Sequence, residues 1–227
     1  MAKKQDKTED RIVAVEEALS RTEQFIEKNQ KIILIAIGIV VVVVMVFFGF
    51  KRLYLGPKEE EGSQQMFMAE RYFEMDSLNL ALNGDGMYPG FLGIIDDYKM
   101  TKAANLSKYY AGICYLRLGN LDEAIDYLKS FKGRDQIVGP MAKGALGDAY
   151  MEKNDTEKAA GYYMAAADMN TNDFTTPMFL MKAGWTYEIM KDYDKAVKVY
   201  EKIKYDFPTS NEAREIDKYI ARAKNSK

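Results

Sequence analysis

Few segments of this chain combine residue types that could do chemistry. DMNTNDF, residues 168–174, alternates carboxylate and amide oxygens as the start of a calcium-binding loop does. However, Asp173 stands where that loop needs a glycine, and Phe179 stands where it needs a bidentate glutamate. NGDG, residues 83–86, lacks the flanking strand and helix of a phosphate-binding loop, so it predicts a turn. We therefore expect no metal site and no cofactor.

The residues that usually carry acid–base or nucleophilic catalysis are absent or unsuited. The sequence has no histidine, which removes the commonest general base and zinc ligand. The single cysteine, Cys114, lies in YYAGICYL, where a helix needs a small apolar residue, so we predict that it packs rather than reacts. The formal charge of −2 lacks the basic footprint of a nucleic-acid-binding protein. We expect neither an enzyme nor a nucleic-acid partner.

Residues 32–52 predict a transmembrane helix. The run from Ile32 to Phe50 contains no polar side chain and is about as long as a helix must be to cross the hydrocarbon layer. About thirty residues precede it, more than the short basic head of a cleaved signal peptide, so we predict an uncleaved anchor. Seven Lys and Arg residues precede this apolar run and three closely follow it, Lys51, Arg52 and Lys58, which favours a cytoplasmic N-terminus.

The segments on either side of the span differ in character. Residues 1–31 form the predicted cytoplasmic tail, in which apolar residues recur at the spacing of a short amphipathic helix; a frayed tail is the alternative. These apolar positions are Ile12, Val15, Leu19 and Ile26. After the span, residues 53–62 combine Gly, Pro and several like charges, which predicts a solvated linker or the start of a helix.

The remaining residues, 63–227, contain an internal repeat with a period of 35 and then 37 residues. In each copy a glycine is followed three residues later by a tyrosine, then by an alanine, and four residues further by a large side chain. The matched sets are Gly112, Tyr115, Ala124 and Leu128; Gly147, Tyr150, Ala159 and Tyr163; and Gly184, Tyr187, Ala196 and Tyr200.

This pattern resembles the tetratricopeptide repeat, with LGDAY intact in the second copy and a closing proline, Pro208, after the third. The resemblance implies an all-α, right-handed solenoid of paired helices. It also implies that the small residues mark the closest approach within each pair, where a larger side chain would force the helices apart. We predict repeats at 63–103, 105–138, 140–175 and 177–208, and a capping helix at 209–225.

The predicted turns and caps follow from local sequence. Gly119 and Asn154 fall at the turn between paired helices, where a left-handed backbone conformation is often required, and Lys191 occupies that place in the third copy. Thr209 with Glu212 forms a possible capping box at the start of the last helix.

The resemblance further implies a concave, protein-binding face lined mainly by the first helix of each pair. The family's concave positions correspond here to Tyr109, Ile113, Leu116, Met141, Asp148, Met151, Met178, Met181, Trp185 and Glu188. This face is apolar and rich in methionine, whose flexible side chains adapt to varied extended or partly unfolded polypeptides. The alternative is that the methionines fill gaps in the core. Capture of a terminal carboxylate is disfavoured, because the positions are apolar or acidic.

The overall plan resembles the ancillary subunit of the bacterial Sec translocon. This resemblance implies an adaptor or chaperone in the bacterial inner membrane, with a periplasmic repeat domain that holds client polypeptides and contacts translocon subunits. The alternative is a structural scaffold in cell-envelope or outer-membrane protein assembly, similar to tetratricopeptide lipoproteins whose repeats often close with an aromatic-Pro-x-Ser motif like residues 207–210. Those lipoproteins are anchored through an N-terminal cysteine, and the only cysteine here is Cys114.

Overall fold

The structure is a computed structural model that describes residue 25 and residues 28–133 and 135–226. Its contacts divide the chain into two units, Met1–Pro57 and Lys58–Lys227. The predicted amphipathic helix of the tail lies outside the described residues. In the described ranges the regular structure is helical, apart from one isolated β-bridge between Gly84 and Pro89.

The first unit contains an apolar helix, α1, over residues 28–50, followed by a π-helical stretch at Lys51–Leu55. α1 belongs to a helix, Lys28–Glu74, that is long and apolar enough to cross a membrane. None of its most apolar window is buried, whereas the core helix of a soluble protein is mostly buried. The length and composition are compatible with the predicted membrane anchor and are shared by signal sequences.

Residues 53–62, which we predicted as a linker or the start of a helix, are helical. Helix α2 spans Gly56–Glu74, and from Lys58 it belongs to the second unit. The backbone N–H of Lys102 donates to both carboxylate oxygens of Glu59, at 2.8 and 3.1 Å. A negative side chain is favourable at this place because it meets the free N–H groups that begin the helix at Lys102. Within the second unit, the start of α2 therefore contacts the start of α5 through Glu59.

Three helical hairpins follow one another in the second unit, and a C-terminal helix closes the array. Each hairpin packs on the next, and the first helices of neighbouring hairpins contact each other, as predicted. The hairpins are α5 (Lys102–Arg117) with α6 (Leu121–Ser130), α7 (Val138–Glu152) with α8 (Thr156–Asp168), and α9 (Thr175–Ile189) with α10 (Tyr193–Asp206). They are preceded by α3 (Leu78–Asn83) and α4 (Phe91–Asp97), and followed by a 3₁₀-helix (Glu212–Glu215) and α11 (Ile216–Asn225).

The loop between α3 and α4 is a turn that hydrogen bonds to one carboxylate hold in place. The carboxylate of Asp85 accepts hydrogen bonds from the Tyr72 hydroxyl at 2.6 Å and from the backbone N–H groups of Met87 and Tyr88 at 2.9 and 2.8 Å. These hydrogen bonds, that of Tyr72 above all, lower the pKa of Asp85 to about 2. The sequence predicted this turn from NGDG but not the short helix α3 before it.

The repeated glycines lie where the two helices of each hairpin approach most closely, as predicted. The ideal Cβ position of each glycine falls too close to the large side chain that the repeat pattern pairs with it. The distances are 2.6 Å from Gly112 to Leu128, 2.5 Å from Gly147 to Tyr163 and 2.1 Å from Gly184 to Tyr200. The matched alanines, Ala124, Ala159 and Ala196, are fully buried. Only a glycine leaves room for the facing ring or leucine.

The turns between paired helices adopt the predicted left-handed conformation. Gly119, Asn154 and Lys191 have φ angles of 78°, 58° and 59°. For Lys191 this conformation is costly, because its Cβ approaches the following carbonyl oxygen. The third hairpin therefore has the same turn geometry as the other two, although lysine is unfavourable in this conformation.

The start of the C-terminal helix differs from the prediction. The hydroxyl that accepts a hydrogen bond here is that of Ser210, not Thr209: the backbone N–H of Ala213 donates to it at 3.2 Å. The chain forms a 3₁₀-helix before α11 begins at Ile216. Ala213 lies at the start of that 3₁₀-helix, and Ser210 stands three residues before it. One face of this helix packs into the core, since Ile216, Ile220 and Ala223 are buried.

The core of the second unit contains two clusters of buried apolar residues. Tyr200, Phe179 and Leu180 are among the largest fully buried side chains of the cluster nearer the C-terminus. Cys114 lies in the other cluster with no exposed surface. Burial raises the pKa of its thiol to about 12, so the thiolate that would react is suppressed. This is the packing role that the sequence predicts.

Replacing Gly184 with alanine should destabilise the third hairpin. The new methyl group would overlap the Tyr200 ring, and we expect the free energy of unfolding to fall by about 1–3 kcal/mol in urea titrations followed by circular dichroism. Gly161→Ala is the matched control, because nothing lies within 4 Å of that Cβ position. It should stabilise α8 by about 0.5–1 kcal/mol. Equal effects of the two substitutions would contradict the close-approach argument.

Replacing Lys191 with glycine should stabilise the protein. Relief of the left-handed strain should raise the free energy of unfolding by about 1 kcal/mol, less the entropy that glycine loses on folding. Lys198→Gly, in the exposed middle of α10, should instead lower it by about 1 kcal/mol. A loss of stability in both variants, measured by the same urea titration, would show that the turn is not strained.

Candidate protein-binding groove

The ten residues nominated for the concave face all lie on the first helices of the three hairpins. Helix α5 carries Tyr109, Ile113 and Leu116; α7 carries Met141, Asp148 and Met151; α9 carries Met178, Met181, Trp185 and Glu188. Trp185 is 43% exposed, Met181 is buried, and the other eight are partly buried. The first helices therefore present these side chains with very different accessibility.

Three of the ten residues meet in one open groove of about 390 Å³. Met178, Met181 and Trp185 line it from α9, together with Lys182. The opposite wall comes from the C-terminal segment through Asn211, Glu212, Glu215 and Tyr219. None of these last four residues is among those that the sequence nominates. The volume lies in the range of about 300–1,000 Å³ that is usual for ligand pockets.

Five other nominated residues do not line this groove. Tyr109, Ile113, Leu116, Met141 and Met151 pack against the buried cluster of the later hairpins. The Met151 sulfur also accepts a hydrogen bond from the Thr186 hydroxyl at 3.8 Å. Packing on the core is the alternative that the sequence leaves open for the methionines, and Met141 and Met151 make such contacts.

The two acidic residues, Asp148 and Glu188, are held by partners within the chain. The Tyr163 hydroxyl donates to Asp148 at 2.6 Å, and the Lys182 ammonium lies 2.7 and 2.9 Å from the two Asp148 oxygens. In the next hairpin, the Tyr200 hydroxyl donates to Glu188 at 2.9 Å. Each carboxylate thus joins the two helices of its own hairpin.

Each of these carboxylates also reaches the next element along the solenoid. Lys182, which pairs with Asp148, belongs to the following hairpin, and Arg222, whose Nη2 lies 2.7 Å from Glu188, belongs to α11. Burial first, and then the hydrogen bond to the carboxylate, raise the pKa values of Tyr163 and Tyr200. Both phenols therefore stay protonated and keep donating. These contacts make Asp148 and Glu188 connectors between repeats.

The segment DMNTNDF organises a loop and the start of α9. The Asn172 side-chain oxygen accepts hydrogen bonds from the backbone N–H groups of Phe174 and Thr175 at 2.9 and 2.7 Å. Its amide nitrogen donates to the backbone oxygen of Gln136, 36 residues earlier, at 3.1 Å. In the part of the chain that the structure describes, no group of three His, Cys, Asp or Glu residues could hold a metal ion.

The Tyr163 hydroxyl should contribute measurably to stability. Tyr163→Phe removes one of the two donors that hold Asp148, and we expect the free energy of unfolding to fall by about 1–2 kcal/mol. Tyr205→Phe is the control, because Tyr205 is 72% exposed, and its effect should stay within about 0.5 kcal/mol. Urea titrations of both variants test this, and equal small effects would contradict the connector role of Asp148.

Comparison with known proteins supports the hairpin geometry. One tetratricopeptide-repeat model matches residues 107–135 and 179–210, and a second model of the same repeat matches residues 142–173. Each match covers most of one hairpin: α5 with α6, α9 with α10, and α7 with α8. No curated protein is significantly similar to the chain in sequence.

Solved structures share the fold at low sequence identity. Two crystal structures of the Podosopora anserina putative kinesin light chain nearly identical TPR-like repeats, one of them a point variant, have TM-scores of 0.56 and 0.55 and 13% identity. Both alignments cover 72% of this chain and 85% of the other. The crystal structure of MamA protein has a TM-score of 0.52 and 19% identity, and covers 74% of this chain and 88% of that one.

The repeat matches and the shared fold agree with the glycine-centred hairpins of the second unit. Tetratricopeptide domains are typically non-catalytic scaffolds that bind other proteins. The chain therefore contains tetratricopeptide repeats at residues 107–135, 142–173 and 179–210, and these repeats indicate a protein–protein interaction module.

Proposed function

We propose that this protein is a membrane-anchored adaptor or chaperone that holds segments of client polypeptides outside the cytoplasmic membrane. The observation that carries the proposal is the open groove between α9 and the C-terminal segment. Its apolar lining and its exposed tryptophan suit polypeptide binding, because tryptophan is enriched among the residues that dominate binding energy. Met178 and Met181 add side chains that adapt to different shapes.

The apolar helix α1 supports the membrane part of the proposal. Its exposed valine and isoleucine side chains suit a lipid environment, and its length suffices to cross the hydrocarbon layer. The excess of Lys and Arg before the span favours a cytoplasmic N-terminus and a periplasmic repeat domain. The nearly neutral chain, with a formal charge of −2, also suits a domain that works away from nucleic acid.

The proposed place of action is beside the protein-conducting channel of the inner membrane. The resemblance of the chain plan to the ancillary subunit of the Sec translocon supports this: a short tail, one span and a small repeat domain. A second candidate is a scaffold in the assembly of outer-membrane proteins. It is favoured by the aromatic-Pro-x-Ser end of the third repeat at residues 207–210.

Site-specific photocrosslinking in bacteria that produce the full chain separates these functions. A photoreactive residue at Met178 reports on the groove, one at Val42 reports on the neighbours of the span, and one at Lys198, exposed on α10, is the control. We expect secreted polypeptides in transit to crosslink at Met178 but not at Lys198. We also expect a translocon subunit to crosslink at Val42.

Two results would contradict the proposal. Equal crosslinking of the same polypeptides at Met178 and Lys198 would show that the groove is not the binding site. Crosslinks confined to outer-membrane proteins and their assembly factors, with no translocon subunit trapped from Val42, would favour the second candidate.

A further inference from the structure

The groove between α9 and the C-terminal segment has aromatic side chains on both walls. The ring centroids of Trp185 on α9 and Tyr219 on α11 are 6.3 Å apart, with an interplanar angle of 53°. The Arg222 guanidinium lies 4.9 Å from the Tyr219 ring centroid, so the Tyr219 ring already makes a cation–π contact within the chain. In the described part of the chain no Lys or Arg lies over the Trp185 indole, the side chain that attracts cations best.

The charges that line the groove leave an excess of carboxylate. Lys182 is the only basic residue of the lining, and both oxygens of Asp148 already hold its ammonium group. Glu215 has only a loose pair with Lys218 at 3.5 Å, in which both side chains are about 70% exposed. Among the described residues, the Glu212 carboxylate has neither a hydrogen bond nor an ion pair. A cation is therefore the charge that this groove can accept.

From the aromatic walls and the unmatched carboxylates, we propose that the groove takes a lysine or arginine side chain of a polypeptide segment that is otherwise apolar. This rests on the proposed function, in which the groove binds client polypeptide. The cation lies over the Trp185 indole and within reach of Glu212 and Glu215. The methylene stem of the same side chain packs on Met178, since long basic side chains bury their stems and keep their charge accessible.

This arrangement excludes a negatively charged partner at the same place. An acidic side chain or a terminal carboxylate would need a free cation, but Lys182 is matched by Asp148, and Arg222 is matched by Glu188 at 2.7 Å. An anion would also lie beside Glu212 and Glu215, where like charges repel it. The groove thus discriminates by charge as well as by apolar contact.

Three matched heptapeptides test this inference: acetyl-Ser-Leu-Arg-Leu-Arg-Leu-Ser-amide, the same peptide with citrulline for arginine, and the same peptide with glutamate for arginine. Citrulline keeps the shape of arginine without its charge. The full chain is held in phosphatidylcholine nanodiscs whose scaffold protein contains no tryptophan, and this lipid has no net charge to attract the peptides. Because Trp185 is the only tryptophan, its emission reports directly on the groove.

We expect the arginine peptide to bind about tenfold more tightly than the citrulline peptide, and the glutamate peptide to bind most weakly. In the double variant Glu212→Gln and Glu215→Gln, the ratio of arginine to citrulline affinity should fall towards one. Glu123→Gln, a change at an exposed position on α6, should leave the ratio unchanged.

Each other outcome overturns the inference. Equal binding of the arginine and citrulline peptides would show a groove that binds polypeptide without reading charge, which leaves the proposed function intact. Tightest binding of the glutamate peptide would show an anion site. Failure of all three peptides to change Trp185 emission would also contradict the inference. The crosslinking experiment at Met178 tests the proposed function independently of these peptides.

Discussion

The architecture of the repeat domain depends on how closely two helices can approach at one point. In every hairpin a glycine faces the large side chain of its partner helix, at a distance where a Cβ atom has no room. This contact sets the separation of the helices, and the separation sets where the next hairpin can stack. Each hairpin buries its apolar faces only against its neighbours. A change in the separation of the two helices of one hairpin would therefore also change how the next hairpin packs on it.

Sequence alone predicts the parts of the fold that depend on local chemistry. The hairpins follow from recurring Gly, Tyr and Ala positions, and the turns follow from residues that favour or tolerate positive φ, as at Gly119 and Asn154. The sequence predicts that the Thr209 hydroxyl meets the start of the last helical segment, but the Ser210 hydroxyl does so. The two hydroxyls lie side by side in the sequence, and only the path of the backbone selects between them. For residues 53–62 the sequence leaves open a linker or the start of a helix, because nothing local reveals that Glu59 meets the start of α5.

The candidate site was only partly predictable for a related reason. Met178, Met181 and Trp185 could be nominated because they stand at concave positions of a recognised repeat. Glu212 and Glu215 could not, because they belong to a 3₁₀-helix outside any repeat and reach the groove only through the packing of α11. Asp148 and Glu188 were nominated for binding on position alone. Their partners lie 15 and 34 residues away for Asp148, and 12 and 34 residues away for Glu188, separations that no local pattern reveals.

The C-terminal helix occupies the place that the first helix of another repeat would take. Arg222 meets Glu188 much as Lys182 meets Asp148, so α11 takes part in the same kind of connecting ion pair as the first helix of a hairpin does. A ligand in the groove would touch both α9 and this terminal segment. Terminal elements of a protein are usually the first to open, so occupancy of the groove and order of the last helix are thermodynamically linked: each raises the stability of the other.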